Sequence, residues 1–455
     1  MTKKVCMFVT NPVTGDPRVE REASTLVQGG YRVVVIGLRG AEDSPEEWLN
    51  GYQIIRLKPP ELLTARQAIL AALIRLSPGL HDGLRAAYRV LRYGSRAPVI
   101  VPSPLQPAPQ PSEASAPCTR WQKLQIDQLA IRCIFWLNVE MANVAVQQGA
   151  DIFHSHDLDT LLAGYLSKRW TGKPLVYDFH ELYTEQFQSG VKSPLWRLWY
   201  SALEWRLIKK TDHRLTVCDS LGEWVERRYG VNRPITVMNV PTYRNVPSIR
   251  ASESTTKVVL YHGVYLPDRG LEQLIESAQY LERGEIVLRG FGPLEDQLRA
   301  LVQEKGLEKL VSFAPPVAVA ELIKAASEAD IGVIPYVPVS LNNRFCLPNK
   351  LFEYMMAGLA IAGSDLPELR RIILGHDLGV VFNPEDPQDI ARALNELLAD
   401  EASLDKMRRN VYVASKTLFN WDQEGQKLLR LYDSVLGLDR SSLVSRASTT
   451  ATAGH

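Results

Sequence analysis

A stretch near residue 350 constrains the fold more than any other part of the chain. Pro348 fixes φ ahead of Asn349, a residue that often caps a helix, and Gly358 is typical of the position just past a helix end. Residues 350–357 are therefore predicted to form a short helix, and the apolar residues 359–363 a buried parallel strand. Free N–H groups at helix N-termini suit a diphosphate. On spacing alone, an ordinary helix–strand unit of a doubly wound sheet explains the stretch equally well.

The whole chain has the composition of a globular protein with more than one domain. Its 455 residues are 45% hydrophobic and 23% charged, too many for one hydrophobic core. The formal net charge of +1 gives no reason to expect a nucleic-acid partner. Five dispersed cysteines without a C-x-x-C pair predict reduced thiols, a cytoplasmic location and no structural zinc. No apolar run is long enough to span a membrane.

The order of predicted elements indicates two α/β domains in succession. Strand, turn, helix and strand alternate over residues 4–38 and resume at residue 151, and the alternation starts again at residue 257. We predict an α/β fold with one doubly wound domain at 1–243, whose last strand spans 234–241, and a second domain at 257–418.

An insert at about residues 59–135 interrupts the first domain. An apolar segment, 65–76, is followed by four arginines spaced as one face of a helix: Arg85, Arg89, Arg92 and Arg96. A basic helix beside an apolar one is typical of a protein that lies on an anionic membrane; a solvated surface helix is the alternative. We expect three irregular segments: a flexible loop at 98–117, a linker at 244–257 and a disordered tail at 439–455.

Polar residues follow three predicted strands of the first domain, where α/β proteins bind ligands. Asp16 and Arg18 lie in the turn after the first strand, and turn capping with surface charge explains them equally well. The other two strands end in His-Ser-His-Asp at 154–157 and in His180 and Glu181. The H-x-H spacing occurs in metal sites, but the ligand set is incomplete, so we predict no metal. We expect His154 to be a buried histidine without a chemical role.

Several phrases of this sequence resemble the group 1, family 4 retaining glycosyltransferases. They are N-K-L-F-E-Y-M-M-A-G-L-A-I-A-G-S-D-L-P at 349–367, Y-H-G at 261–263, R-G-F-G-P at 289–293, G-D-P-R-V at 15–19 and D-I-F-H-S-H-D at 151–157. The resemblance covers roughly residues 3–436 apart from the insert. It implies a GT-B fold: two Rossmann-like domains facing a cleft, with the donor nucleotide in the second, the acceptor in the first, and a last helix, 421–437, that crosses back.

The resemblance also implies roles for residues that match the family motifs. His156, against the donor sugar, Arg269, a phosphate-binding base, and Glu353 are the implied catalytic residues. The implied donor-binding residues are Gly263, Gly290, Gly292, Phe345, Leu347, Asn349 and Lys350. The implied acceptor-side residues are Gly15, Asp16, Arg18, Asp157, His180 and Glu181. The sequence departs from the family at Phe345, where a Glu-x7-Glu motif has its first acid, and at Val264, where a basic residue follows the glycine.

The activity implied is metal-independent, retaining transfer of a sugar from a nucleotide-diphosphate sugar to a saccharide or lipid-linked acceptor. It would serve cell-envelope or exopolysaccharide synthesis, need no cofactor, and take place in the cytoplasm or at the inner face of the membrane. Two alternatives stay open. One is a binding or scaffolding protein that kept the fold and lost transfer, favoured by Phe345 and Val264. The other is a nucleotide-sugar epimerase on the same fold.

Overall fold

The computed structural model describes residues 2–59, 120–185, 194–243 and 256–438, which form two compact units. The first comprises the described parts of Met1–Thr216, Gly222–Ile235 and Lys427–His455, and the second Val217–Leu221 with Thr236–Gln426. Several predictions lie outside the described residues: the arginines Arg85, Arg89, Arg92 and Arg96, the apolar segment, the flexible loop, most of the linker, and the tail. The predicted domain limits and their assignment to donor and acceptor stay predictions.

A sheet of eight described strands forms the centre of the first unit. The strands are β1 (Lys4–Phe8), β2 (Arg32–Leu38), β3 (Glu46–Leu49), β4 (Tyr52–Leu57), β5 (Ile152–His156), β6 (Leu175–Phe179), β7 (His213–Thr216) and β8 (Ile235–Thr236). Their order is β3-β4-β2-β1-β5-β6-β7-β8, parallel from β4 to β7 and antiparallel between β3 and β4. The chain order reverses between β1 and β5. Ligands of doubly wound sheets bind at such a switch point, outside the carboxyl ends of the strands.

Helices flank this sheet. They are α1 (Pro17–Gln28), α2 (Arg120–Gln147), α3 (Leu161–Thr171), α4 (Pro194–Leu207), a 3-10 turn (Ile208–Lys210) and α5 (Asp219–Tyr229). All residues of strands β1, β5 and β6 are buried or half-buried. This is expected because helices cover both faces of a parallel sheet.

The second unit repeats the architecture with a six-stranded, wholly parallel sheet, counted over the described residues. Its strands are β9 (Val258–Val264), β10 (Glu285–Phe291), β11 (Val311–Ala314), β12 (Ile331–Ile334), β13 (Ala360–Ser364) and β14 (Gly379–Phe382). The order is β11-β10-β9-β12-β13-β14, so the switch point lies between β9 and β12. Leu271, Leu288 and Ile331 are among the fully buried residues of its core.

The helices of the second unit follow the strands in alternation. They are α6 (Leu271–Ser277) with a 3-10 turn (Ala278–Tyr280), α7 (Glu295–Glu304), α8 (Leu322–Ala326), α9 (Leu341–Arg344), α10 (Asn349–Ala357), α11 (Pro367–Gly375), α12 (Pro387–Ala399), α13 (Glu401–Thr417) and α14 (Trp421–Val435). Residues from Lys427 onward in α14 belong to the first unit. No described helix has both the length and the apolar character required to cross a membrane.

The structure confirms the helix and strand predicted near residue 350 and corrects their start. Gly358 follows α10 with a φ of 75°, a left-handed conformation that favours glycine. The prediction that Asn349 caps this helix is wrong. Pro348 holds the capping position, and Asn349 is the first helical residue, with its Oδ1 accepting a hydrogen bond from Asn239 Nδ2 at 3.2 Å.

One predicted strand, over 234–241, is much shorter than expected. Only Ile235–Thr236 joins the sheet. The backbone groups that follow form hydrogen bonds with residues at the start of α14 instead of with the sheet. The Met238 N–H donates to Glu424 Oε2 at 2.9 Å, and the Pro241 carbonyl accepts from the Trp421 N–H at 3.0 Å. The antiparallel pair β3–β4 has no counterpart among the sequence predictions.

Candidate active site

A buried guanidinium organises the carboxyl edge of the first sheet. Arg18, in the first turn of α1, donates from Nε to Asp178 Oδ2 at 2.8 Å and from Nη2 to Asp178 Oδ1 at 2.9 Å. Its Nε also lies 3.0 Å from Glu22 Oε1, one helical turn away. All three side chains are 0% exposed. The alternative that Arg18 is a surface charge is therefore wrong.

Three histidines surround the same carboxylate. His180 Nε2 lies 2.9 Å from Asp178 Oδ2 and 3.1 Å from His156 Nδ1, while His180 Nδ1 lies 3.0 Å from Asp157 Oδ2. The ring of His156 stacks on that of His154 with centroids 4.2 Å apart. His154 Nδ1 faces the hydroxyl of Tyr432 at 2.5 Å. His154 is thus buried and hydrogen-bonded, as predicted, but it is part of a larger network.

The network fixes the charges of its members. Burial alone would raise the pKa of Asp178, but Arg18 and His180 hold that pKa well below its ordinary value. Burial opposes a charged His180, yet Asp157 and Asp178 raise its pKa to about 10. Burial raises the pKa of Glu22 to about 8, so this carboxyl is mostly protonated at neutral pH. Burial and the charge of His180 lower the pKa of His156.

Four of these groups have the chemistry of metal ligands. Glu22, His154, His156 and Asp178 bring potential ligand atoms within 4.8 Å of one another. The guanidinium of Arg18 already contacts both carboxyl groups and provides the positive charge that a metal ion would bring. For this reason we assign no metal to the cluster.

The remaining predicted acceptor-side residues lie along the same edge. Asp16 caps α1, because its carboxylate accepts from the backbone N–H groups of Arg18 and Val19, which confirms the capping alternative. The N–H of Gly15, whose φ is 85°, donates to Glu20 Oε1 at 2.7 Å. Glu181 follows His180 and is half-buried. Their roles towards an acceptor stay predictions.

Two cations lie over aromatic rings at the switch point of the second sheet. Lys350 Nζ stands 3.7 Å from the ring centroid of Tyr261 and 5.0 Å from that of Tyr336. The guanidinium carbon of Arg269 stands 4.3 Å from the centroid of Tyr336. Within the described part of the chain, neither cation forms an ion pair. Burial, and then the charge of Arg269, place the pKa of Lys350 well below its ordinary value.

An acid stands one helical turn beyond Lys350. Glu353 Oε2 lies 2.8 Å from Nε2 of His262, a residue of β9 that is almost fully buried. The backbone N–H of His262 donates to the hydroxyl of Tyr354 at 3.0 Å. Glu353 is thus oriented by a histidine two residues before the end of β9 and keeps 23% of its side chain exposed.

The three predicted donor-binding glycines let neighbouring loops approach closely. A Cβ at Gly290 would stand 2.0 Å from the carbonyl oxygen of Gly263, and one at Gly292 would stand 2.4 Å from that of Tyr265. A Cβ at Gly263, whose φ is 134°, would stand 3.4 Å from Lys350 Nζ. These glycines therefore shape the loops beside the cations.

Phe345 and Val264, the two departures from the family, and the predicted donor-binding residue Leu347 are partly or largely accessible to solvent. Phe345 follows α9, and its carbonyl accepts from Cys218 Sγ at 3.3 Å. Leu347 is half-buried, and Val264 is 39% exposed. Among the described residues, no contact of the Phe345, Leu347 or Val264 side chains assigns these residues a function.

Sequence reasoning missed several residues of both clusters. Asp178 and Glu22 were not singled out, although Glu22 is four residues after Arg18 on one helix and Asp178 alternates with His180 at a strand end. His262 and the two tyrosines were missed too. The strand-end argument that found His156 applies equally to His262. Tyr432 gives no local signal, because only the tertiary fold brings it to His154.

Two α/β units, each with a cluster of charged residues at the switch point of its sheet, agree with the GT-B fold that the resemblance implies. Residues 244–414 match the family described as "Glycosyl transferases group 1", and residues 99–239 match "Glycosyltransferase Family 4". The chain belongs to the group 1, family 4 glycosyltransferases. Its donor is accordingly a nucleotide-diphosphate sugar, and the family resemblance and the predicted α/β, GT-B fold are confirmed.

Individual relatives are distant. A phosphatidyl-myo-inositol mannosyltransferase of Mycobacterium leprae is 24% identical over 303 residues, 63% of this chain and 74% of the relative. The protein of the same description from Mycolicibacterium smegmatis is 26% identical over 308 residues, 66% and 75% of the two chains. Among solved structures, a sucrose-phosphate synthase from Thermosynechococcus elongatus superimposes with a TM-score of 0.66 at 16% identity, covering 96% of this chain and 99% of that one. At that identity the match concerns the fold alone.

Proposed function

We propose that this glycosyltransferase transfers a sugar, with retention and without a metal ion, from a nucleotide-diphosphate sugar to a saccharide or lipid-linked acceptor. The observation that carries the proposal is the cation pair of the second unit. Lys350 lies beside Gly263, and both Arg269 and Lys350 lie over aromatic rings without an ion pair among the described residues. A diphosphate placed against them would supply the missing negative charge, and its developing charge as leaving group would be stabilised.

The same residues support metal independence, and we propose retention together with it. Because Arg269, Lys350 and the N-terminus of α10 offer positive charge to a diphosphate, a divalent ion is not required for that purpose. A leaving-group oxygen that assists attack on the same face of the sugar would need no protein nucleophile. Activity unchanged by a chelator, and a product whose anomeric configuration equals that of the donor, would support this part. Loss of turnover with the chelator, restored by a divalent cation, would contradict it.

The experiment that tests the activity is calorimetric titration with a panel of UDP-, GDP- and ADP-sugars, followed by an assay for slow donor hydrolysis. We expect one nucleotide class to bind and its sugar to be released as the free sugar. Binding without any hydrolysis or transfer would favour the inactive scaffold. Conversion to an isomeric nucleotide sugar would favour the epimerase.

We further propose a lipid-linked acceptor and peripheral contact with an anionic membrane. The mycobacterial relatives are named for a lipid acceptor, and the arginine stripe of the insert has the spacing of a membrane-surface helix. A described surface adds support. Leu198 and Trp205 are 67% and 53% exposed on α4, and Lys209 Nζ lies 4.9 Å from the ring centroid of Trp205. An exposed apolar and basic surface of this kind suits a lipid interface.

Co-sedimentation with anionic and neutral vesicles tests this part. Two variants are compared with the wild type: one replaces Arg85, Arg89, Arg92 and Arg96 by Ser, the other replaces Trp205 and Lys209. Each lost cation should weaken anionic binding by about 1 kcal/mol, and binding should fall as salt rises. Arg283→Ser, an exposed position of the second unit, is the control. If the wild type does not pellet with anionic vesicles at low salt, membrane contact is wrong.

A further inference from the structure

The histidine that the family resemblance places against the sugar has a neighbour that fixes its protonation. We propose that His180 is a positioning residue, held as an imidazolium, which keeps the proton of His156 on Nε2, so that His156 offers an N–H donor to a sugar oxygen. This inference rests on the proposed function for the identity of the oxygen, but not for the protonation states.

The first step concerns the protons of His180. Its Nδ1 faces Asp157 Oδ2 at 3.0 Å and its Nε2 faces Asp178 Oδ2 at 2.9 Å. An ionised carboxylate can accept a hydrogen bond but cannot donate one. Each of these contacts therefore needs a proton on the ring nitrogen. The backbone N–H of His180 also donates to Asp157 Oδ1 at 3.2 Å, which fixes that carboxylate. A ring with a carboxylate at each nitrogen is an imidazolium.

Asp178, the carboxylate that His180 Nε2 contacts, is held ionised by Arg18. Arg18 grips both oxygens of Asp178 in a bidentate pair that is shielded from water. Such a pair keeps the carboxylate ionised and its position fixed. Three other charged or titratable groups lie around this cluster: Asp16, which caps α1, Glu22 in α1, and His154 in β5. Burial keeps the carboxyl group of Glu22 mostly protonated.

The third step concerns His156. Its Nδ1 lies 3.1 Å from His180 Nε2, which already carries a proton. His156 Nδ1 also lies 3.5 Å from Asp178 Oδ2, farther than from His180 Nε2. Because two N–H groups cannot point at each other, we infer that His156 Nδ1 accepts from His180, which leaves the proton of the neutral ring on Nε2. The opposite arrangement would aim the lone pair of His180 Nε2 at Asp178, which is unfavourable.

The last step concerns what the Nε2–H is for. His156 is 2% exposed, and its Nε2 has no hydrogen-bond partner among the described residues. A buried donor left without an acceptor is unfavourable, and such groups are commonly satisfied by a ligand. A sugar hydroxyl or ring oxygen has the acceptor chemistry required. His156 would then hydrogen-bond the sugar as a donor and would not act as a base.

Nitrogen NMR of the full chain with labelled histidine tests the protonation states directly, without activity. Variants His156→Gln and His180→Gln assign the signals among the eight histidines. We expect His156 to carry its proton on Nε2 at neutral pH, and His180 to carry two protons and lose one only near pH 10. A proton on Nδ1 of His156, or His180 titrating near its ordinary value, would overturn the proposal.

The pH dependence of kcat is a second test, because a purely structural role of His180 would not change it. His180→Gln should lower kcat by about 10²-fold, the effect of disturbing one preorganised donor, with a smaller change in the donor KM. The fall of wild-type kcat at high pH, caused by loss of the His180 proton, should disappear in this variant. Asp157→Asn, at a partly exposed residue, removes one of the two carboxylates that retain the proton, so the alkaline fall should move to lower pH. If it does not move, His180 is not the titrating group.

The two hypotheses fail in different ways. The expected NMR result in a protein that turns over no nucleotide sugar would contradict the proposed function and leave the protonation of His156 intact. Transfer activity together with an Nδ1 proton on His156 would contradict only the inference.

Discussion

In the first unit, Arg18 and His180 each face two carboxyl groups, whereas in the second unit Arg269 and Lys350 lie over tyrosine rings. The first cluster balances its own charges: two cations against Asp157 and Asp178, with Glu22 mostly neutral. In the second, neither Arg269 nor Lys350 forms an ion pair among the described residues, although Glu353 stands one helical turn from Lys350. Both stand at the switch point of a parallel sheet, so the same position in one architecture serves two purposes. A balanced cluster holds side chains in place, and an unbalanced one attracts a charged ligand.

The largest effect should come from breaking the balance of the first cluster. Asp178→Asn leaves Arg18 buried with no full carboxylate partner, and loss of one partner of a buried pair costs about 3–5 kcal/mol. Urea denaturation should show this decrease in the free energy of unfolding. Glu226→Gln makes the same chemical change at an exposed position of this unit and should have little effect. Equal stability of Asp178→Asn and wild type would mean that the cluster is not balanced through Asp178.

The next effect should come from removing a cation of the second cluster. Arg269→Ala should lower kcat by about 10²–10³-fold, because the diphosphate gains charge as it leaves. The donor KM should change less. Steady-state kinetics of wild type, Arg269→Ala and the exposed control Arg283→Ala measure both constants. A loss confined to KM would show that Arg269 binds the ground state and the transition state equally.

Glu353 is the acid of the second cluster, and it should act on the nucleoside rather than on the diphosphate. Replacing its carboxylate by an amide, Glu353→Gln, should weaken binding of the nucleoside diphosphate by about 1.5–3 kcal/mol if it accepts from a ribose hydroxyl. Titration calorimetry compares it with Glu304→Gln, an exposed control in the same unit. Unchanged affinity would remove the ribose assignment.

The effect that is smallest per pH unit concerns the pH dependence of stability. The pKa of Glu22 is raised on folding to about 8, so the folded state binds more protons than the unfolded state above pH 4.5. Its contribution is complete below that pH and is lost as pH rises through about 8, by at most about 1.4 kcal/mol per pH unit. Denaturation curves of Glu22→Gln across this range should show a flatter dependence. A pH dependence equal to that of the wild type would mean that Glu22 is not the carboxyl group whose pKa is raised on folding.

Much of the fold was predictable because local patterns determine it. The strand–turn–helix alternation, the helix and strand after Pro348 and the positive φ of Gly358 all follow from the order of residues. The pairing of Arg18 with Asp178 was not predictable, since the two residues are far apart in sequence and meet only when β1 and β6 enter one sheet. Asn349 and the segment after Thr236 were mispredicted because tertiary hydrogen bonds, from Asn239 and to α14, replaced the local ones.

The central claim is that the cation pair of the second unit is complete only with a diphosphate. Titration of a nucleoside diphosphate into wild type and Lys350→Met tests it most directly. Burial and the charge of Arg269 hold the pKa of Lys350 below its ordinary value, and a bound diphosphate should raise that pKa. We predict that Lys350→Met binds the nucleoside diphosphate at least tenfold more weakly than the wild type, about 1.4 kcal/mol. Equal affinity of the two proteins would contradict the account.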